Sequence, residues 1–133
     1  MEIKNKYQSP LKMKEIMILE SSFRRSEEDI DHLELGFRPE RKIEKIGEDQ
    51  YKIEFEVYLG DDEEKLSLYV KCAAIFETEQ ENMGLIERNA IAIIFPYVRA
   101  YISALTSQPG MSPIVLPPIN IIAMLNDDRG KNE

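Results

Sequence analysis

A strict alternation of apolar and polar residues marks the middle of the chain. Between Tyr51 and Leu59 every second residue is apolar and the intervening residues are mostly charged. This period of two predicts a half-buried antiparallel strand with one acidic face. The alternation resumes from Leu66 to Phe76 after an acidic turn at residues 60–64. The two segments are therefore predicted to pair as a hairpin.

Two weaker strands are predicted upstream of the hairpin. Residues Leu11 to Phe23 are apolar on both faces in their middle, which is typical of a central strand or of an edge strand covered by another subunit. The segment Phe37 to Ile46 also alternates, but Pro39 favours an edge position because proline cannot donate to a neighbouring strand. A long charged connection separates these two strands.

The pattern changes to helical spacing after Glu81. From Leu85 to Thr106 the helix is apolar nearly all round, so it needs cover on more than one face. A four-stranded sheet covers only one face, and burial against another chain is therefore expected. Pro96 removes one hydrogen bond and predicts a kink near the middle, unless the helix begins just before it.

The remainder of the chain predicts a loop and a short second helix. Residues Ser107 to Pro118 are rich in proline and form either an ordered loop or a mobile arm, and Ile119 to Leu125 is predicted to be a short helix. Residues 1–10 and 127–133 are expected to be flexible. Four strands followed by two helices give an α+β fold in a single domain, residues 1–133.

Composition and charge exclude several classes of function for this chain. The chain has 133 residues and a formal net charge of −8, which argues against non-specific binding to nucleic acid. Its longest apolar run, Ala90 to Val98, is too short to insert across a bilayer, and the first residues lack the order of a signal peptide. We therefore expect a cytoplasmic protein.

Few residues offer chemistry for catalysis or for cofactors. The only cysteine, Cys72, lies on an apolar strand face and is predicted to be a small buried hydrophobic residue. The only histidine, His32, lies in a charged loop, and a metal site formed with Asp29 and Asp31 would be weak. No glycine spacing matches a phosphate-binding loop. The sequence predicts neither an enzyme nor a bound metal or cofactor.

The most informative feature is an excess of apolar residues between Met111 and Leu125, after the long helix. Two interpretations are open. The loop and short helix either close the core, or leave an accessible groove for apolar segments of other proteins.

Three short motifs resemble the SecB family of protein-export chaperones. The stretch Ile93 to Arg99 resembles the family signature Phe-Pro-Tyr-x-Arg, and Leu116 to Ile121 resembles its proline-rich entry into the last helix. Ala73 to Phe76 stands where the family has small-small-Ile-Phe. The order and length of the elements also agree, so the resemblance extends over Leu11 to Leu125.

The resemblance implies an ATP-independent holdase that binds unfolded preproteins and delivers them to the SecA motor. It also implies a homotetramer, a dimer of dimers in which two eight-stranded sheets enclose the long helices. The implied oligomer interface comprises Ile91, Ile94, Phe95, Val98 and Ile102. The implied client-binding groove comprises Leu33, Leu35, Phe37, Met111, Ile114, Val115, Leu116, Ile119, Ile122 and Met124.

The chain departs from the family on the sheet face expected to dock the motor. Glu20 keeps an acidic residue there, but Arg24 stands where a second acid is expected and Tyr69 replaces another. A chaperone dedicated to one partner, such as the antitoxin of a toxin–antitoxin pair, is therefore an alternative. A third hypothesis is a small-molecule or lipid-binding domain with an apolar pocket under the last helix.

Overall fold

Four antiparallel strands form one sheet in the order β1-β4-β3-β2, and two helices follow them. The computed structural model describes residues 1–131; residues 132–133, the end of the tail expected to be flexible, lie outside the described residues. The predicted α+β fold is confirmed. The elements are β1 (Lys12–Arg25), β2 (Gly36–Gly47), β3 (Gln50–Gly60), β4 (Leu66–Glu77), α1 (Met83–Leu105) and α2 (Ile121–Lys131).

β1 is an edge strand whose side-chain alternation changes twice. Its register with β4 omits Lys14 and Leu19, and at each of these bulges two successive residues, rather than one, separate the inward-facing side chains. Leu19 is 48% exposed, and Met17 is also exposed on the outer face. The sequence left open whether this strand is central or at an edge of the sheet, and the structure places it at an edge. Its inward-facing apolar residues are Met13, Ile16, Ile18 and Phe23.

β2 is the opposite edge, as Pro39 predicted. Because β1 and β2 lie at the two edges, the connection between them, residues 26–35, crosses the whole sheet. We call this segment the crossover. β2 is also tied to the helix layer, since Arg41 Nε lies 2.7 Å from Glu87 Oε1 of α1 and both side chains are mostly buried.

The core lies between the inner face of the sheet and α1. Alternate residues of β3 and β4 are buried, as their sequence pattern predicted. Phe95 of α1 packs edge-on against Phe37 and Phe55, with ring centroids 6.5 Å apart in each pair. The residues of α1 that are buried in this core are Ile86, Ala90, Ile91, Ile94, Phe95, Val98 and Ile102.

This placement changes the interpretation of the five residues expected at an oligomer interface. All five are buried against the chain's own sheet. The exposed face of α1 instead carries Tyr97, which is 51% exposed, and the small residues Ala92, Ala100 and Ala104. Pro96 is exposed on this side and lies inside α1, which continues through it as one helix.

An asparagine side chain caps the N-terminus of each helix. Asn82 Oδ1 accepts a hydrogen bond from Leu85 N at 3.1 Å, and Asn120 Oδ1 accepts one from Ala123 N at 2.9 Å. Asn120 therefore precedes α2, which begins two residues later than predicted and continues to Lys131. None of the helices within residues 1–131 is long and apolar enough to cross a membrane.

The buried position of Cys72 yields the first prediction. Burial raises the pKa of the Cys72 thiol to about 11, and the side chain has no solvent exposure. We expect its reaction with a thiol reagent at pH 8 to be on the order of 100-fold slower in the native protein than in denaturant. Reaction at the same rate in both states would contradict this core.

Candidate functional site

A groove runs along the inner side of β2, between that strand, the loop after α1 and the start of α2. It consists of three pockets. The crossover pocket, about 170 Å³, is lined by Ile30, Asp31, Leu33, Leu35, Leu66, Met111, Ser112 and Ile114. The central pocket, about 270 Å³, is lined by Leu35, Phe37, Leu59, Ile114, Val115, Leu116, Pro117 and Ile119. The helix pocket, about 510 Å³, is lined by Phe37, Arg38, Pro39, Ile119, Asn120, Ala123, Met124 and Asp127.

The three pockets adjoin one another along β2, because neighbouring pockets share lining residues. Leu35 and Ile114 line both the crossover and the central pocket, and Phe37 and Ile119 line both the central and the helix pocket. The lining residues from Leu33 to Pro39 span seven positions of the chain, of which Gly36 to Pro39 lie in β2. At about 3.3 Å per residue a fully extended segment of this length reaches at most roughly 20 Å, so the groove accommodates up to about six extended residues of a client.

Polar side chains of α1 hold the outer wall of the groove. Arg99 Nε donates to the carbonyl of Leu116 at 2.9 Å, and Ser103 Oγ donates to that of Ile114 at 2.8 Å. The buried Thr106 hydroxyl accepts from the Ile114 N–H at 2.8 Å and donates to the Ile102 carbonyl at 2.8 Å. The segment after α1 is therefore an ordered loop, the first of the two forms expected for it.

Arg25 joins the crossover to the tip of this loop. Its guanidinium group donates to the carbonyls of Ser26 at 2.8 Å, Glu28 at 3.0 Å and Gly110 at 3.1 Å. Gly110 has a φ of +85°, a conformation that other residues rarely adopt. Both walls of the crossover pocket are thus fixed to the end of β1.

Comparison with known proteins places the chain in a family. A family model described as SecB, preprotein translocase subunit SecB, matches residues 5–132. The chain belongs to the SecB family. An uncharacterised protein of Methanocaldococcus jannaschii is 40% identical over 62 residues, which is 44% of this chain and 40% of that protein's length.

A solved structure shares the fold of this SecB-family chain. It is the SecB-like chaperone Rv1957 of Mycobacterium tuberculosis in complex with a ChAD peptide from the HigA1 antitoxin. The TM-score is 0.69 at 13% sequence identity, and the match covers 83% of this chain and 90% of that one. At this identity the match establishes the fold.

The structure brings most of the residues predicted for the groove together. Nine of the ten line one or more of the three pockets. Val115 is 70% exposed, whereas Leu116 is buried. Ile122 lies elsewhere: it is 55% exposed and borders a separate depression between α1 and α2, beside Leu85 and Arg88.

Sequence reasoning missed the polar residues that position the groove. Arg99, Ser103 and Thr106 are spaced four and three residues apart, so they share one face of α1. Polar residues at helical spacing in an otherwise apolar helix were the available signal. Ile30, which lines the crossover pocket, was also missed because it stands alone among charged residues.

The outer face of the sheet carries a mixed polar network rather than an acidic surface. The Tyr69 hydroxyl donates to Glu56 Oε1 at 2.6 Å, and that hydrogen bond raises the pKa of Tyr69. The rings of Tyr69 and Tyr58 lie 4.8 Å apart, and the Arg38 guanidinium lies 3.9 Å from the Tyr58 ring centroid. Glu20, predicted on the motor-docking face, is paired in register with Lys71.

Residues considered for metal binding do not form a site in the described part of the chain. His32 is exposed, and its Nδ1 lies 3.9 Å from Asp29 Oδ2. Within residues 1–131 no group of three or more histidine, cysteine, aspartate or glutamate side chains is arranged to hold a metal ion.

The wall of the groove yields the second prediction. Thr106→Val keeps the side-chain volume but leaves the Ile114 N–H and the Ile102 carbonyl without this hydroxyl, so we expect a loss of about 1–3 kcal/mol in the free energy of unfolding. Amide exchange at Ile114 should accelerate. Thr106→Ser, which keeps the hydroxyl, is the control and should exchange slowly. Equal exchange in the two variants would show that the loop is held by other contacts.

Proposed function

We propose that this SecB-family chain is an ATP-independent chaperone that holds unfolded polypeptides in the groove along β2. The observation that carries the proposal is the row of three adjoining pockets along β2, with an apolar pocket at its centre. Its central pocket is lined only by apolar side chains, and one of them, Val115, is largely exposed to solvent. An unfolded chain can bury its apolar side chains against this surface without a conformational change in the sheet.

The composition of the groove suits many clients rather than one defined ligand. Met111 and Met124 lie at its two ends, and methionine adapts to partners of different shape because its side chain is unbranched and flexible. Each groove is short, so a single segment binds weakly. Several grooves that engage one client chain in an assembly gain affinity through effective concentration.

The edges of the sheet support a homotetramer as part of this proposal. β1 has no proline over its whole length and exposes Met17 and Leu19, so a second copy can pair with its free backbone groups. β2 contains Pro39 and is a poorer edge for continuous pairing. The exposed face of α1, with Tyr97 among small alanines, would then pack two such dimers together.

The third prediction concerns this assembly. Replacing Ala100 by Glu places a charge in the middle of the exposed α1 face, so a tetramer should dissociate into dimers. Sedimentation velocity of the wild type and the variant measures the change in mass. Glu81→Gln, on an exposed residue ahead of α1, is the control and should leave the mass unchanged. A monomeric wild type would contradict the proposed assembly.

For the clients we propose secretory preproteins, held in the cytoplasm in a form competent for Sec-dependent export. A second candidate is a single dedicated partner, such as an antitoxin. It is favoured by the outer sheet face, where Arg24 and Tyr69 stand in place of the expected acids and the Tyr69 hydroxyl engages the Glu56 carboxylate. The structural match, Rv1957, was solved with an antitoxin peptide, which is consistent with this candidate. Direct binding of purified SecA distinguishes the two, since only the export role requires it.

The fourth prediction tests client binding. Val115→Ser combined with Ile119→Ser removes apolar surface from the central pocket, and we expect binding of an unfolded, slow-folding protein to weaken by about tenfold or more. The measurement is suppression of that protein's aggregation without nucleotide. Ile122→Ser is the control, because Ile122 is also apolar and exposed but lies outside the groove.

The outcomes separate the functional hypotheses. Retained suppression in the double variant, or its loss in Ile122→Ser, would contradict the groove as the client site. If the wild type suppresses no aggregation but retains an amphiphile in native mass spectrometry, the alternative of a small apolar-ligand-binding domain replaces the proposal.

A further inference from the structure

The two walls of the crossover pocket converge on one side chain, that of Arg25. Arg25 ends β1 and is paired in register with Leu66, a lining residue of that pocket. Its partly buried guanidinium group donates to the carbonyls of Ser26 and Glu28 in the crossover and to that of Gly110 in the loop after α1. Among the described residues Arg25 makes no ion pair, so its hydrogen bonds all go to the main chain of the two walls.

No other polar contact joins these walls in the part of the chain that the structure describes. Within residues 1–131, no hydrogen bond or ion pair runs directly from residues 26–35 to residues 107–118. The side chains that face each other across the pocket are mostly apolar, and apolar contact is non-directional. The separation of the two walls is therefore set by one guanidinium group.

Each wall also has an attachment of its own on the side away from the pocket. Lys65 holds the start of the crossover, because its carbonyl accepts from the Ser26 N–H at 2.7 Å and its Nζ lies 3.3 Å from Glu28 Oε2. α1 holds the loop through the Thr106 hydroxyl. Without the Arg25 side chain, both walls would remain attached to the fold but not to each other.

This arrangement gives Arg25 a role in client binding. We propose that Arg25 is a positioning residue, which holds the crossover pocket preformed so that a client segment binds there without first ordering the two walls. The inference rests on the proposed function and adds the residue that keeps this end of the groove ready for clients. A mobile wall would lose conformational freedom when the client binds, and that cost would weaken the affinity. Arginine suits this role because its planar guanidinium group presents several N–H donors in a fixed geometry.

The first measurement is the affinity for a reduced and alkylated protein, a probe that stays unfolded without denaturant. Arg25→Met keeps a long side chain and removes every donor, and we expect it to weaken binding on the order of fivefold. Arg25→Lys keeps the charge but not the planar group, so its affinity should lie between the two. Arg24→Met is the matched control: it removes the same charge from the neighbouring exposed residue and should bind the probe as the wild type does.

The second measurement separates positioning from a general loss of stability. Methyl relaxation reports the mobility of Leu33 and Met111, one in each wall, and of Met124 at the other end of the groove as the internal reference. In the wild type, Leu33 and Met111 should be ordered before the probe is added. In Arg25→Met both should be mobile in the free protein and regain the wild-type order when the probe binds, whereas Met124 should behave alike in the two proteins. A variant that is only less stable would not regain this order on binding.

The outcomes keep this inference distinct from the proposed function. If the wild type binds the probe and Arg25→Met binds it equally or more tightly, the proposed function stands and only the inference fails. An equal loss of affinity in Arg24→Met, or unchanged mobility of Leu33 and Met111 in Arg25→Met, would also overturn the inference. If the wild type does not bind the probe, the proposed function fails together with the inference.

Discussion

One helix has to cover a sheet that is wider than the helix. Four strands spaced about 4.8 Å apart present a face roughly 15–20 Å wide, whereas an α-helix with its side chains is about 10–12 Å across. α1 lies over β3 and β4, the two central strands. The inner faces of both edge strands therefore depend on other parts of the molecule for cover. On the β2 side, the loop after α1 and the start of α2 supply this cover incompletely, and the remaining space is the groove.

The loop can form a groove wall because its backbone is satisfied by α1. The loop contains three prolines without a backbone N–H group, Pro113, Pro117 and Pro118. It therefore cannot satisfy its backbone hydrogen bonds by forming a helix or joining a sheet. Arg99 and Ser103 bind its carbonyls instead. With the backbone turned toward the helix, apolar side chains are left along the groove. The wall is thus fixed by side-chain to main-chain bonds together with the packing of Leu116 into the core, while Val115 beside it stays exposed to the groove.

The sequence predicts the elements better than it predicts the faces they bury. The alternation of β3 and β4 and the proline of β2 were sufficient for the strands, because burial on one side of a sheet produces a period of two. In β1 the bulges at Lys14 and Leu19 interrupt that period of two. The inward-facing residues therefore could not be predicted by taking every second residue of the strand. An almost wholly apolar helix carries no signal for which side meets the sheet, and the residues expected between subunits are buried in the core of the chain itself. The position of Ile122 outside the groove was not predictable for a similar reason, since α2 is covered on only part of its surface.

The two uncovered flanks of the sheet differ in a way that links assembly to binding. β1 contains no proline, so each of its residues keeps a backbone N–H group, and backbone pairing with a second copy can satisfy that edge in the proposed tetramer. On β2, Pro39 disfavours such pairing with a second copy, because a neighbouring strand would meet a residue without an N–H group. The β2 flank therefore stays open in the proposed assembly, and its apolar side chains remain accessible to a transient partner. One proline thus helps to separate the edge that builds the oligomer from the edge that binds clients.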